Sequence, residues 1–286
     1  MSTWDRAFHA YGPARDGGEM MEALRRGDES WRPYWFLWSA LYCDGHLTPA
    51  TALGLRYLAE TVGTDDFGGP DPTLREAAVW WIRDVARAAL TGAEPRRDEP
   101  AVNAWLDEYL RHDRSIFDWD DRDAPGQAVL AAARADCRDL LPSCFAPLPA
   151  LLTPQRPERL RAAAASAAAA LVAHPGLRRH RAEIVTYHAD EARHGSPLHR
   201  ASMLLGLGEL GGSTRKWLTD PELGVRVCAA LAPGLAADED ATEVLRSAAL
   251  DPAALDAAFG DMRLHQLPLP RRAVETRGGG NVVPGT

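Results

Sequence analysis

The chain has almost no lysine, although it is rich in basic residues. Lys216 is the only lysine, and the 286 residues contain 32 basic and 40 acidic side chains. The formal net charge of -8 argues against broad binding to nucleic acid or to an anionic membrane, because phosphate contacts need clustered cations. The preference for arginine over lysine is what a G+C-rich genome produces, and we attach no function to it.

Cysteine is also scarce, and the sequence lacks the spacings that would join cysteines in a site. Cys43, Cys137, Cys144 and Cys228 form no CxxC pair, which argues against zinc binding. The first residues lack the basic and apolar regions of a secretory signal. We therefore expect reduced thiols in a cytoplasmic protein.

No apolar run of about 18 residues is present, so we expect neither a transmembrane helix nor a membrane partner. Convincing runs of alternating β-branched residues are missing too. The sequence contains no nucleophile elbow, P-loop, dinucleotide-binding fingerprint or HExxH motif. Without these motifs we expect no cofactor, and the sequence points to no class of enzyme. Whether the protein is catalytic stays open.

Helix signals dominate what is present. Thr48-Pro49, Asp71-Pro72, Ser196-Pro197 and Asp220-Pro221 are typical helix starts, and glycines follow the apolar runs as stops. The pattern predicts an all-α fold of about five to six antiparallel helix pairs, stacked over one continuous core in a single domain over 1–263. Residues 264–286 are predicted to be a flexible tail. The predicted pairs cover 17–62, 71–112, 124–152, 156–194, 197–233 and 238–259.

Two stretches resemble HEAT repeats. The segment "DPELGVRVCAALAPGLA" is similar to the second helix of a HEAT repeat, and the segment over 4–62 resembles the opening of HEAT-repeat proteins common in actinobacteria. The resemblance implies a right-handed α-solenoid in which Asp220 and Arg226 hydrogen-bond along the stack. It departs from those proteins at Cys43-Asp44-Gly45, where they often carry His-Gln-Gly.

An aromatic cluster, "SWRPYWFLW", is the first candidate site. Trp31, Trp35 and Trp38 recur at i, i+4 and i+7, which predicts one helical face. A core stripe is the structural interpretation; an aromatic cleft for a planar ligand is the functional one. HEAT-like alkylpurine DNA glycosylases have such a cleft beside an aspartate, which implies roles for Trp35 and for Asp44 or Asp28.

The segment 174–200 is the second candidate site, because arginines, histidines and carboxylates crowd there. We interpret it as a solvated, pH-responsive helix edge or an anion-binding face, since arginine binds phosphate and carboxylate in a bidentate manner. A metal site would use His188, Glu191 and His194, but matching ligands are missing, so we expect no metal. The candidate binding residues are Arg178, Arg179, Arg181, His188, His194, His199 and Arg200.

The function favoured by the sequence is a HEAT-like binding or scaffold module that recognises a protein partner through its concave face, with the tryptophans and arginines as contacts. One alternative is a HEAT-like DNA glycosylase acting on alkylated bases through Trp35 and Asp44. Another is a protein that binds or converts a small anionic molecule through 174–200.

Overall fold

The computed structural model describes residues 3–28, 31–91, 99–111, 115–116 and 124–260, without the side chains of residues 31, 99–103, 124 and 125. The described ranges contain thirteen α-helices, which confirms the predicted all-α class. They are α1 Gly17–Arg26, α2 Trp31–Trp35, α3 Pro49–Thr61, α4 Pro72–Leu90, α5 Glu99–Tyr109, α6 Ala124–Phe145, α7 Leu148–Leu151, α8 Glu158–Leu171, α9 Arg181–Glu191, α10 Pro197–Glu209, α11 Leu223–Ala230, α12 Glu239–Leu250 and α13 Pro252–Phe259. The predicted tail, 264–286, lies outside the described residues.

Several helices begin at the side chains that the sequence indicates. The carboxylate of Asp71 accepts a hydrogen bond from the Thr73 amide at 2.9 Å. Thr48 and Thr51 form a reciprocal capping box, and proline occupies the first turn of both helices. Asp220 is the exception, because α11 begins three residues later at Leu223.

Two short antiparallel hairpins interrupt the helical chain before α3. Strands β1 (Phe8–His9) and β2 (Gly12–Pro13) form the first, and β3 (Tyr42–Cys43) and β4 (His46–Leu47) form the second. The second hairpin turns at Asp44-Gly45, where both residues have positive φ, 48° and 85°, as a type I′ turn requires. Two-residue strands are too short to leave an alternating pattern, which is why the sequence did not predict them.

Unit 1 is the compact body formed by 1–156 and 170–178. Helices α3 and α4 both pack against α6, and Leu55, Val85 and Leu141 are fully buried. Trp81 is also fully buried, and its indole Nε1 donates to the carbonyl oxygen of Leu37 at 2.7 Å. This hydrogen bond connects α4 to the segment that follows α2.

Unit 2 is formed by 157–169 and 179–286. Helices α9, α10, α11 and α12 pack in sequential pairs, with α13 against α11 and α12. The residues 162–168 of α8 are almost all buried alanines, and small side chains allow close helix contact. The single solenoid domain stays a prediction. None of the helices in the described ranges is long and apolar enough to cross a bilayer.

Candidate functional site

Two large aromatic side chains of unit 1 are exposed and stacked on one another. Tyr11 lies in the turn between β1 and β2, and Trp35 ends α2. Their ring centroids are 5.2 Å apart with an interplanar angle of 21°, yet they remain 45% and 47% exposed. Exposed aromatic pairs of this kind are unusual. Keeping an apolar ring in water costs more free energy than contact with one neighbouring ring provides.

The helix changes form directly after Trp35, and this separates the tryptophans predicted to share one face. Residues Phe36–Leu41 form a π-helix, whose i to i+5 bonding breaks the 3.6-residue period assumed by the prediction. Trp38 is half-buried, with its ring near those of Tyr34 and Tyr42. The helical period that predicted one tryptophan face therefore does not continue past Trp35, and the side chain of Trp31 lies outside the described residues.

Charged groups surround the pair. Burial raises the pKa of Tyr11, and the charges of nearby Cys43 and Asp44 raise it further. Asp44 is exposed at the hairpin turn, and of the two sequence-predicted residues Trp35 stacks on Tyr11 while Asp44 acts on it through its charge. Asp28, the other predicted carboxylate, is instead paired with Arg26 at 2.6 Å.

His9 holds the first hairpin in place and links it to a second carboxylate. Its Nδ1 accepts a hydrogen bond from the Tyr11 amide at 3.1 Å, while its Nε2 lies 3.8 Å from Asp16. The interaction with His9 lowers the pKa of Asp16, and the charge of exposed Arg32 lowers it further. We call the group Tyr11, Trp35, Asp16, Arg32 and Asp44 the aromatic surface.

Tyr11 is the residue that sequence reasoning missed. It is separated from Trp35 by 23 residues, and only the hairpin brings the two rings together. The available signal was a tyrosine immediately before Gly12-Pro13, a turn sequence that favours exposure of the preceding side chain.

The charge of unit 1 is strongly acidic. Its 18 arginines and 25 acidic residues give a net charge of -7, whereas unit 2 carries -1. An aromatic cleft for DNA needs cations around it, because phosphate contacts supply most of the affinity. The aromatic surface has the opposite balance, with two aspartates and one arginine.

In unit 2, His188 of the 174–200 segment is a core residue. It is fully buried, its Nδ1 lies 2.9 Å from the carbonyl oxygen of Met203, and its Nε2 lies 3.1 Å from that of Ala165. Both ring nitrogens are thus engaged, and desolvation lowers the pKa of His188. The predicted role of His188 in ligand or metal binding is corrected, because the ring has neither a free nitrogen nor access to solvent.

Glu191 pairs with His199 rather than with His194. The Nε2 of His199 lies 2.8 Å from Glu191 Oε2, and Arg161 contacts the same oxygen at 3.1 Å. His194 is exposed. The three residues of the metal hypothesis are therefore not brought together, and no group of three or more potential ligands in the described ranges is placed to hold a metal ion.

Most arginines of unit 2 in this segment already bind protein acceptors. Arg181 donates to the carbonyl oxygen of Leu210 at 2.8 Å, and Arg200 pairs with Asp220 and also donates to a main-chain carbonyl. Arg179 is exposed and contacts the ring of His180. Arg178, which belongs to unit 1, is exposed. The predicted anion-binding face loses Arg181 and Arg200 to these structural contacts.

Asp220 and Arg226, which the HEAT resemblance implies hydrogen-bond along the stack, both form hydrogen bonds. Arg226 donates through Nη1 to the main-chain oxygens of Asp220 and Pro221, at 2.6 and 2.9 Å. The Asp220 carboxylate accepts from Arg200 and from the Glu222 amide. Asp220 is therefore bonded through its carboxylate to Arg200 of α10, whereas Arg226 bonds to the main chain just before its own helix.

Comparison of the chain with protein-family models, with curated proteins and with solved structures gives no match.

Proposed function

We propose that this chain is a binding module that holds a protein partner through the aromatic surface of unit 1. The observation that carries the proposal is the stacked and half-exposed Tyr11–Trp35 pair. Tryptophan and tyrosine supply a large share of the binding energy at protein interfaces. Stacking also restricts both side chains before binding, which lowers the entropy lost on association.

The partner that fits this surface has a basic contact face with an apolar centre. The charge of Asp44 acts on Tyr11, Asp16 lies 3.8 Å from His9 of the same hairpin as Tyr11, and unit 1 as a whole carries -7. Complementary charge accelerates association and selects partners, while the aromatic centre supplies affinity. We expect the rate of association to fall as salt rises, and the rate of dissociation to depend mainly on Trp35 and Tyr11.

We extend the proposal to the architecture: a right-handed HEAT-like solenoid of five to six helix pairs, with the partner on its concave face. Its support is that each of the six predicted segments contains at least two of the observed helices. A cytoplasmic location is part of the same proposal. It is supported by the four cysteines, all of which are free.

The experiment compares affinity capture from the source organism by the wild-type chain, Trp35→Ala, Tyr11→Ala and a Leu250→Ala control. Leu250 is 82% exposed and belongs to unit 2, so its loss removes an exposed apolar side chain elsewhere. We expect one protein to be captured by the wild type and the control. Each aromatic variant should weaken its binding by about 2 kcal/mol, or thirtyfold. Equal capture by all four chains would refute the proposal.

A second candidate is excision of alkylated bases from DNA, favoured by the position of Trp35 and Asp44 beside Tyr11. In this case Trp35 would stack on the extruded base and Asp44 would stabilise the positive charge that develops on the sugar. The test is release of methylated bases from duplex DNA at about 50 mM salt, where phosphate contacts are strongest. Release that Asp44→Asn abolishes would establish it; no release by the wild type would exclude it.

A further inference from the structure

Unit 2 contains an open cleft of about 900 Å³ that none of the predicted site residues except Arg226 lines. One wall is α12, where Asp240, Glu243, Val244 and Ser247 follow a single helical face at spacings of three and four residues. The opposite wall comes from the short 3₁₀ turn Arg215–Trp217, the loop after it and the first turn of α11. The cleft is therefore formed by elements of one compact unit.

The acidic side chains of the cleft pair with arginines. Asp240 pairs with Arg215 at 2.6 Å, and Arg215 also pairs with Asp238. Glu243 pairs with Arg246, three residues further along α12. Three carboxylates thus face two arginines, which leaves one negative charge to be compensated by other groups.

Two cations in the cleft remain without a carboxylate partner among the described residues. Lys216 is exposed, and its Nζ lies 4.1 Å above the ring centroid of Trp217, which fixes the ammonium group without neutralising it. Arg226 uses Nη1 for two main-chain oxygens, and its guanidinium makes no ion pair with a described residue. The two groups therefore carry the net positive charge of the cleft.

The rest of the lining suits a ligand with both polar and apolar parts. The hydroxyls of Ser213, Thr219 and Ser247 make no hydrogen bond to any described residue. A hydroxyl can donate to an anionic oxygen or accept from a ligand hydroxyl. Leu218, Leu223 and Val244 add apolar surface.

We propose that this cleft binds a small phosphate monoester whose other end is apolar. Lys216 and Arg226 contact the phosphate, the three hydroxyls bind its remaining oxygens, and the leucines and Val244 contact the apolar group. A phosphate fits better than a carboxylate because it offers more acceptor oxygens to two cations and several hydroxyls. This site lies in unit 2 and does not depend on the protein-binding role of unit 1.

The test uses Lys216 as a unique probe, because it is the only lysine of the chain. Reductive ¹³C-dimethylation keeps its charge and gives a single lysine side-chain signal in NMR spectra. Titration with phenyl phosphate should shift this signal in a saturable way, at lower concentrations than inorganic phosphate or benzoate. A shift that sodium chloride reproduces at equal ionic strength, or tighter binding of benzoate, would overturn the proposal.

Calorimetry on variants completes the test. Lys216→Gln should weaken phenyl phosphate binding about tenfold, the usual effect of losing one charge-assisted contact, whereas Lys216→Arg should stay close to wild type. Arg159→Gln is the matched control, because Arg159 is an exposed arginine of unit 2 outside the cleft. An equal loss in Arg159→Gln would mean that net charge, and not the cleft, governs binding, and would overturn the assignment.

Discussion

The imidazole of His188 faces two carbonyl oxygens but has one proton to donate when it is neutral. The hydrogen bonds to Ala165 and Met203 favour the protonated ring, but the stronger effect of desolvation lowers its pKa. The charges of Glu209 and His199 act on the ring in opposite directions. The folded protein therefore holds His188 neutral in a site that would accommodate two donors.

This environment predicts an acid-sensitive unit 2. Below the ordinary histidine pKa of 6.5, the unfolded chain takes up a proton that the buried ring resists, so the free energy of unfolding falls as the pH falls. Urea denaturation at pH 7.5 and pH 5.5 measures the change. We expect a smaller loss in His188→Gln, whose amide does not titrate; the same loss in both proteins would show that other groups cause it.

The packing of His188 against Gly206 gives a second prediction. A Cβ at Gly206 would lie 2.2 Å from Cε1 of His188, so Gly206→Ala should destabilise the protein by about 1–3 kcal/mol. His188→Ala removes the obstacle and should itself cost about 2–4 kcal/mol. In that background Gly206→Ala should become neutral or stabilising, because alanine is the better helix residue. A double-mutant cycle by urea denaturation checks this change of sign; simple additivity would contradict it.

At the scale of the element, helix starts are what the sequence predicts best. Ser196 and Asp71 cap their helices as expected, because an N-cap needs only a short acceptor at the right offset. The helix predicted to start at Asp220 begins at Leu223 instead, because Arg200, 20 residues earlier, binds the Asp220 carboxylate. Long-range competition of this kind leaves no local signal, and the same holds for the stacking of Tyr11 on Trp35.

The cap at Ser196 can be tested against a serine inside the same helix. Ser196 accepts from the His199 amide at 3.3 Å, whereas Ser202 only donates to the Leu198 carbonyl of the preceding turn. Ser196→Ala should lower the free energy of unfolding by about 1 kcal/mol. Ser202→Ala should change it by less than about 0.5 kcal/mol. Urea denaturation followed by circular dichroism separates the two, and equal effects would argue against a capping role.

The predicted aromatic site depends on both local and long-range structure. Trp35 is exposed and Asp44 lies beside its stacking partner, as an aromatic site requires. The π-helix over Phe36–Leu41 breaks the helical period that would place Trp38 on the same face as Trp35. A π-helix depends on how the segment packs, for example on the bond from Trp81 to the Leu37 carbonyl, so the periodicity of the sequence does not reveal it.

At the scale of the whole molecule, charge separates the two functions proposed for the aromatic surface. Unit 1 carries -7 of the total charge of -8, and the charge of Asp44 acts on Tyr11, which stacks on Trp35. A basic protein partner is attracted by this field, whereas the phosphates of DNA are repelled. The repulsion is strongest at low salt, which is the condition under which true DNA-binding proteins bind most tightly.

The whole chain is therefore expected not to bind a 20-base-pair duplex at about 50 mM salt, with or without an alkylated base. Fluorescence anisotropy of labelled DNA is the measurement, and the captured protein partner serves as the positive control under the same buffer. Its association rate should fall between 50 and 200 mM salt, because complementary charges are screened over about a Debye length. Saturable DNA binding that Trp35→Ala abolishes would instead assign the aromatic surface to nucleic acid, since stacking would then have overcome the unfavourable charge.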